Sequence, residues 1–139
     1  MKTTFKLVAF LLTITLLSCN ANLNLNDGVE GSGNVITEKR TINESFDKIS
    51  ASTGVTVIVE QGSPNDVEVE TDDNLMQYVI TKVENGTLIV KIDGNINTMS
   101  SIDVRVRMSS IVGLESTSGS RITSKNTLKG STIAVKSSS

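Results

Sequence analysis

Valine recurs at every second position in three separate stretches of this chain, and that alternation limits the fold more than any other feature. Val55, Val57 and Val59 are separated by Thr56 and Ile58, Val67 and Val69 alternate with Asp66, Glu68 and Glu70, and Val104 and Val106 with Asp103, Arg105 and Arg107. Successive side chains of a strand point to opposite faces, so period two with charges between describes a sheet with one buried and one wet face. Val83-Glu84-Asn85-Gly86-Thr87-Leu88 adds a hairpin, because Asn-Gly supplies the positive φ angles of a type I′ turn. One short helix is expected near 73–79, where the acidic Asp73 precedes Leu75, Met76 and Val79 at helical spacing. The chain is therefore expected to be all-β.

A weak repeat suggests how the strands are arranged. Ile49-Ser-Ala-Ser-Thr-Gly54 and Leu114-Glu-Ser-Thr-Ser-Gly119 share one pattern, and Val135-Lys-Ser-Ser-Ser139 begins it again. Val69-Glu-Thr-Asp-Asp-Asn74 and Ile92-Asp-Gly-Asn95 fill the gap, giving a ladder 49, 69, 92, 114, 135 with steps of 20, 23, 22 and 21 residues. A strand followed by a small-residue corner every ~21 residues is what a β-solenoid produces, since each coil must return to stack on the last. The Asn85-Gly86 hairpin fits a purely parallel coil poorly, so the alternative is an antiparallel β-sandwich.

The first residues address the chain. Lys2 and Lys6 precede an apolar run from Leu7 to Leu17 that ends in Leu16-Leu17-Ser18-Cys19. This run of 11 residues is far short of the ~20 that span a bilayer, so residues 1–18 read as a signal peptide. Leu-Leu-Ser-Cys is similar to the lipobox of bacterial lipoproteins, where the thiol is acylated and the chain is cut just before it. Cys19 is the only cysteine, so lipidation there leaves no disulfide. Acyl chains anchor through buried methylenes worth ~0.8 kcal/mol each, making the membrane a partner through the lipid on Cys19. Asn20, rather than aspartate, follows the cysteine, which points to the outer membrane and leaves its face open. Residues 19–33, rich in Asn and Gly, read as the lipidated cysteine and a flexible tether, and 34–139 as one domain.

Composition removes several functions. Without residues 1–18 the chain has 11 basic and 15 acidic residues, with the basic ones scattered, so no nucleic-acid partner is expected. There is no histidine, the commonest general base and zinc nitrogen ligand. Phe46 and Tyr78 are the only aromatics after Cys19, which gives a sugar-stacking groove little to build with.

Gly31-Ser32-Gly33-Asn34-Val35, Phe46-Asp47-Lys48-Ile49, Val55 to Gly62, and above all Asp73-Asn74-Leu75, Tyr78-Val79 and Val83-Glu84-Asn85-Gly86-Thr87-Leu88 resemble the head GIN domain family of auto-transporter adhesin domains, found in exported proteins of Bacteroidota. The resemblance covers Gly31 to Ser139. It implies a right-handed parallel β-helix-like solenoid without a known catalytic site. Family members usually run on with further serine and glycine corners, so a chain cut short at its C-terminus is expected.

Asp66, Glu68, Glu70 and Asp72 would share one strand face, with Asp73 and Asn74 at its end, and such oxygens suit calcium. The plainer reading is a solvated acidic face that discourages edge pairing, and no metal or cofactor is expected. Ser50, Ser52, Thr53, Ser116, Thr117, Ser118, Ser137 and Ser138 would line a corner, where hydroxyls bond backbone locally more often than they bind a glycan. No catalytic residue is expected. The rival, a polysaccharide-acting enzyme, would have to use Asp103 with Arg105 and Arg107. The leading expectation is a non-enzymatic envelope module that contacts protein or glycan, with a periplasmic scaffold as the alternative.

Overall fold

A computed structural model describes residues 28–139. Residues 1–27, on which the expected signal peptide, the lipidation of Cys19 and most of the expected tether fall, lie outside the described residues. Among the described residues, twelve strands run in chain order: β1 (Val29–Glu30), β2 (Val35–Lys39), β3 (Lys48–Ala51), β4 (Thr56–Gln61), β5 (Asp66–Asp72), β6 (Val79–Glu84), β7 (Thr87–Ile92), β8 (Ile96–Thr98), β9 (Ile102–Met108), β10 (Gly113–Ser116), β11 (Arg121–Ser124) and β12 (Ala134–Ser137). A 3₁₀ helix, Asp73–Tyr78, joins β5 to β6.

The fold is all-β with mixed sheets. One five-stranded sheet has the order β12-β10-β3-β7-β6, the other β11-β4-β9-β5-β2, and β1 pairs with β8 in a two-stranded ribbon. In the first sheet β12, β10, β3 and β7 are parallel and β6 is antiparallel. In the second, β11, β4 and β9 are parallel while β5 and β2 are antiparallel. Each sheet thus has a parallel side and an antiparallel side.

The valine alternation does what its spacing requires. Val57, Val59, Val67, Val69, Val104 and Val106 are buried, and they form one cluster with Ile49, Ala51, Leu88 and Val90 of the other sheet. At about 25 cal/mol per Å² of apolar surface removed from water, burial of this cluster is the main force holding the sheets together. Asn85 and Gly86 have φ of 50° and 72° and join β6 to β7 as the expected hairpin.

Three corrections follow from the pairing. Ile49, Leu114 and Val135 are in register, as the repeat requires, but the next partner of Ile49 is Leu88 and not Ile92. Val69 belongs to the other sheet, facing Val104. The reason is that residues between β4 and β7 form antiparallel strands and a helix instead of a coil. Second, the helix is six residues of 3₁₀ type and no side chain caps it, because the Asp72 carboxylate at its N-cap bonds elsewhere. It still matters to packing, for Leu75 is fully buried and Met76 joins the main cluster. Third, the last residues assigned to the tether are not loose: Val29 and Glu30 form a strand, and Gly31 N–H donates to the Thr98 carbonyl at 2.7 Å.

Candidate functional site

The outward face of the second sheet carries the sequence's acidic stripe, and the fold sets opposite charges beside it. Glu68 faces Arg105 and Asp66 faces Arg107 across β5 and β9, while Glu60 of β4 faces Arg107 from the other side. The ion pairs run across the whole sheet: Lys39 to Asp66 at 2.8 Å, Arg105 to Glu70 at 3.1 Å, Arg107 to Glu60 at 3.3 Å and Lys125 to Glu60 at 3.1 Å. Lys125 holds the Glu60 carboxyl below its ordinary range, and Asp66 raises the Lys39 ammonium above its own. Read in strand order β2, β5, β9, β4, β11, the dominant charge is plus, minus, plus, minus, plus. Asp103 is the exception, facing Glu70.

This arrangement separates the residues that the sequence grouped. Asp66, Glu68 and Glu70 lie among guanidinium and ammonium groups, while Asp72 is fully buried away from them. No group of three or more acidic, histidine or cysteine side chains among the described residues could hold a metal ion. Of the enzyme constellation, Arg105 and Arg107 are engaged by Glu70 and Glu60.

Asp72 instead holds the entry of the chain. Its carboxylate accepts from Gly33 N–H at 2.8 Å and from the Ser100 N–H and hydroxyl at 2.9 and 3.0 Å. Asp73 accepts from the Ser32 hydroxyl at 2.5 Å, the Asn34 amide at 3.0 Å and Asn74 N–H at 2.7 Å. Asn74 donates to the Glu30 carbonyl and accepts from Ser32 N–H. Hydrogen bonds hold both carboxyls below the usual carboxylate range, Ser100 chiefly for Asp72 and Ser32 chiefly for Asp73. Gly31 is required there, because a Cβ would collide with the Asp72 carboxylate. Gly31 to Asn34 and Asp73-Asn74, two stretches that carry the family resemblance, thus meet in space. No local sequence signal announces this contact, since about 40 residues separate its halves.

The hydroxyl corners stack as the repeat predicts. Thr53 and Gly54 have φ of 59° and 76°, Ser118 and Gly119 of 51° and 74°, and Gly54 N–H donates to the Ser118 carbonyl at 3.1 Å. Ile92 N–H donates to the Thr53 hydroxyl at 2.8 Å, and the Ser116 hydroxyl donates to the Ser120 carbonyl at 2.7 Å. Ser50 lies opposite Glu115, Ser116 opposite Ser137, and Ser138 N–H bonds the Ser116 carbonyl. The Thr53 and Ser116 hydroxyls thus serve the turn. Ser120, which the sequence reading missed, bonds the Ala51 carbonyl at 2.8 Å and is the best connected of them.

The two ends of the sheets differ. At one end the helix and antiparallel strands cover the core. At the other, Leu114 and Ile122 are only partly buried, Val135 is 71% exposed, and a cleft of about 350 Å³ opens between Leu114, Ile122 and Val135, rimmed by Arg121 and Lys136. A concavity of about 540 Å³ lies beside the crossover from β2 to β3, where the cations are already engaged: Lys39 by Asp66, Arg40 by Glu38 and the Met76 carbonyl.

Solved structures share this architecture. A "putative adhesin" from Parabacteroides merdae is 24% identical with a TM-score of 0.71, over 80% of this chain and 47% of that one. A "putative adhesin" from Bacteroides fragilis is 18% identical with a TM-score of 0.71, over 78% and 51%. A "putative lipid binding protein" from Parabacteroides distasonis is 18% identical with a TM-score of 0.69, over 78% and 48%. The chain spans about half the length of these structures. No curated protein matches the sequence. The profile of one sequence family matches residues 45–139. On that match, the chain belongs to the family described as "Putative auto-transporter adhesin, head GIN domain".

Proposed function

We propose that this protein is a non-enzymatic module of the bacterial cell envelope, anchored in the outer membrane by lipid on Cys19. It contacts a protein or glycan through the outer surface of a right-handed, β-solenoid-like stack. The observation that carries the reading is the pair of in-register parallel stacks, β12-β10-β3-β7 and β11-β4-β9, which set charged side chains in columns on a rigid surface. Membership in an adhesin-type family supports it. A sheet surface suits binding without chemistry, because its groups are fixed by backbone pairing and Lys39, Arg105, Arg107 and Lys125 are matched by neighbouring acids.

No helix among the described residues is long and apolar enough to cross a membrane, so attachment falls to the lipid in this reading. The test is protease shaving of intact cells, following the domain by antibody, with Cys19→Ala as the control for anchoring. Digestion on intact cells is the expected result. Protection until the outer membrane is opened would overturn adhesion in favour of periplasmic scaffolding, and turnover of an envelope polysaccharide by the purified protein would overturn the non-enzymatic reading.

A further inference from the structure

Residues 28–39 differ from the rest of the domain in what holds them. All five residues of β2 are exposed, and no apolar side chain of residues 28–39 joins the buried cluster or packs against it. Among the described residues β1 pairs only with β8, and β2 lies at the end of its sheet with β5 alone beside it. Polar contacts hold the segment instead: the grip of Asp72, Asp73 and Asn74 on Glu30 to Asn34, the ladder from β2 to β5, and the Lys39 to Asp66 ion pair at 2.8 Å. Such bonds are exchanged for bonds to water when a segment lifts, at small net cost, whereas an apolar core strand loses its burial outright.

The segment has a defined end. Arg40 donates from its guanidinium to the Met76 and Val79 carbonyls at 3.0 and 3.4 Å, and its N–H donates to the Val67 carbonyl at 2.8 Å. Just beyond it, Ile42 packs on the core and Phe46 is part of it. What lies beneath the segment has its own support, because β5 is also paired with β9 from Asp66 to Thr71, and Val67 and Val69 are buried in the core. Lifting β2 would bare the edge of β5, and there the charges of Asp66, Glu68 and Glu70 guard against a stray strand.

We propose that residues 28–39 are a strap that peels away as a unit when the chain is pulled from its N-terminal side, and that peeling stops at Arg40 while both sheets stay folded. Freed, the strap adds up to about 40 Å of reach, at ~3.3 to 3.6 Å per extended residue. Residues 20–27 alone separate Cys19 from Gly28, so with Cys19 as the lipid anchor a partner that draws the domain away from the membrane loads this strap first. The acidic stripe of β5 then has a use, since it keeps the opened edge from pairing wrongly. The inference rests on the anchoring reading for the source of the pull, but not for the peeling.

The experiment is hydrogen exchange by NMR on unlipidated protein starting at Cys19, in a series of urea concentrations below the unfolding transition. Amides of residues 28–39, and those of β5 that donate to β2, are expected to exchange at least ~10-fold faster than amides of β4 and β9, with little dependence on urea because little surface opens. Amides of β5 that donate to β9 are expected to stay with the core. In the double variant Asp72→Asn, Asp73→Asn, shown by circular dichroism to keep its sheet, the strap amides should exchange at least ~10-fold faster again without urea. A single urea dependence shared by residues 28–39, β4 and β9 would overturn the proposal, whether because the strap never opens alone or because other parts of the chain cover β2. Exchange of all of β5 with the strap would make the opening unit too large, and an unchanged rate in the double variant would remove the clamp; either overturns it. Pulling the Lys82→Cys variant between its thiols at 19 and 82 is expected to give a first step of at most about 40 Å before the main unfolding, and a single step would overturn the proposal. If Cys19→Ala leaves the domain anchored in the shaving control, the source of the pull is lost while these measurements stand, so the two readings fail separately.

Discussion

At the residue scale, glycine and aspartate hold the unusual backbone of this protein. Gly119 has φ of 74° and nothing near its missing side chain, so Gly119→Ala adds only backbone strain, costing about 1 kcal/mol. Gly62→Ala, where a Cβ meets Arg107 in ordinary contact and no positive φ is needed, should leave the thermal midpoint nearly unchanged. Equal losses in the two melting curves would refute the strain argument. Asp72 and Asp73 hold the chain's entry segment as carboxylates, with folded pKa values below the ~3.9 of an unfolded aspartate. Their contribution is therefore complete above about pH 4 and is lost as pH falls through those lower folded values. Thermal midpoints should drop steeply below about pH 4 in the wild type. They should start lower and fall less in Asp72→Asn, Asp73→Asn, and parallel curves would contradict the assignment.

At the scale of elements, position in the strand order decides what a valine is worth. Val104 is fully buried on β9, the middle strand of its sheet, and Val104→Ala should cost about 2 kcal/mol through lost burial and the void left behind. Val135 occupies a strand with the same alternation but is 71% exposed, so Val135→Ala should change stability by less than about 0.5 kcal/mol. Denaturant midpoints of the two variants check this. A costly Val135→Ala would mean that β12 is covered in solution. The charge columns add little to folding, since Lys125 is exposed, Arg107 and Glu60 stay in part open to water, and surface ion pairs give under ~1 kcal/mol. Their effect is on which strand fits beside which.

For the whole molecule, position in the strand order predicts a gradient of local stability. Amide hydrogen exchange should be slowest in β4 and β9, which have neighbours on both sides within one buried cluster, and fastest in β11 and β12. Uniform protection from β9 to β12 would contradict that picture. Cooperative folding here depends on contacts distant in sequence, because β9 lies between β4 and β5 and nearly every pairing joins remote segments. The entry segment belongs to this body, tied to Asp72, Asp73 and Asn74, so the chain leaves the domain from a fixed point.

Local chemistry made much of this legible in the sequence. Period two fixed which face of each valine strand is buried, Asn85-Gly86 fixed a hairpin, and the paired serine and glycine corners brought Ile49, Leu114 and Val135 into register. Each is a property of a few neighbouring residues, so no partner had to be known. What the tertiary structure alone decided was which strand lies beside which. The antiparallel segment between β4 and β7 displaced Val69 and Ile92 from the ladder, and the acids of β5 found Arg105 and Arg107 beside them. Asp72, with the same spacing as its neighbours, was buried on the entry segment. Pairing across tens of residues depends on burying one common core, and alternation along a strand carries no record of its neighbour.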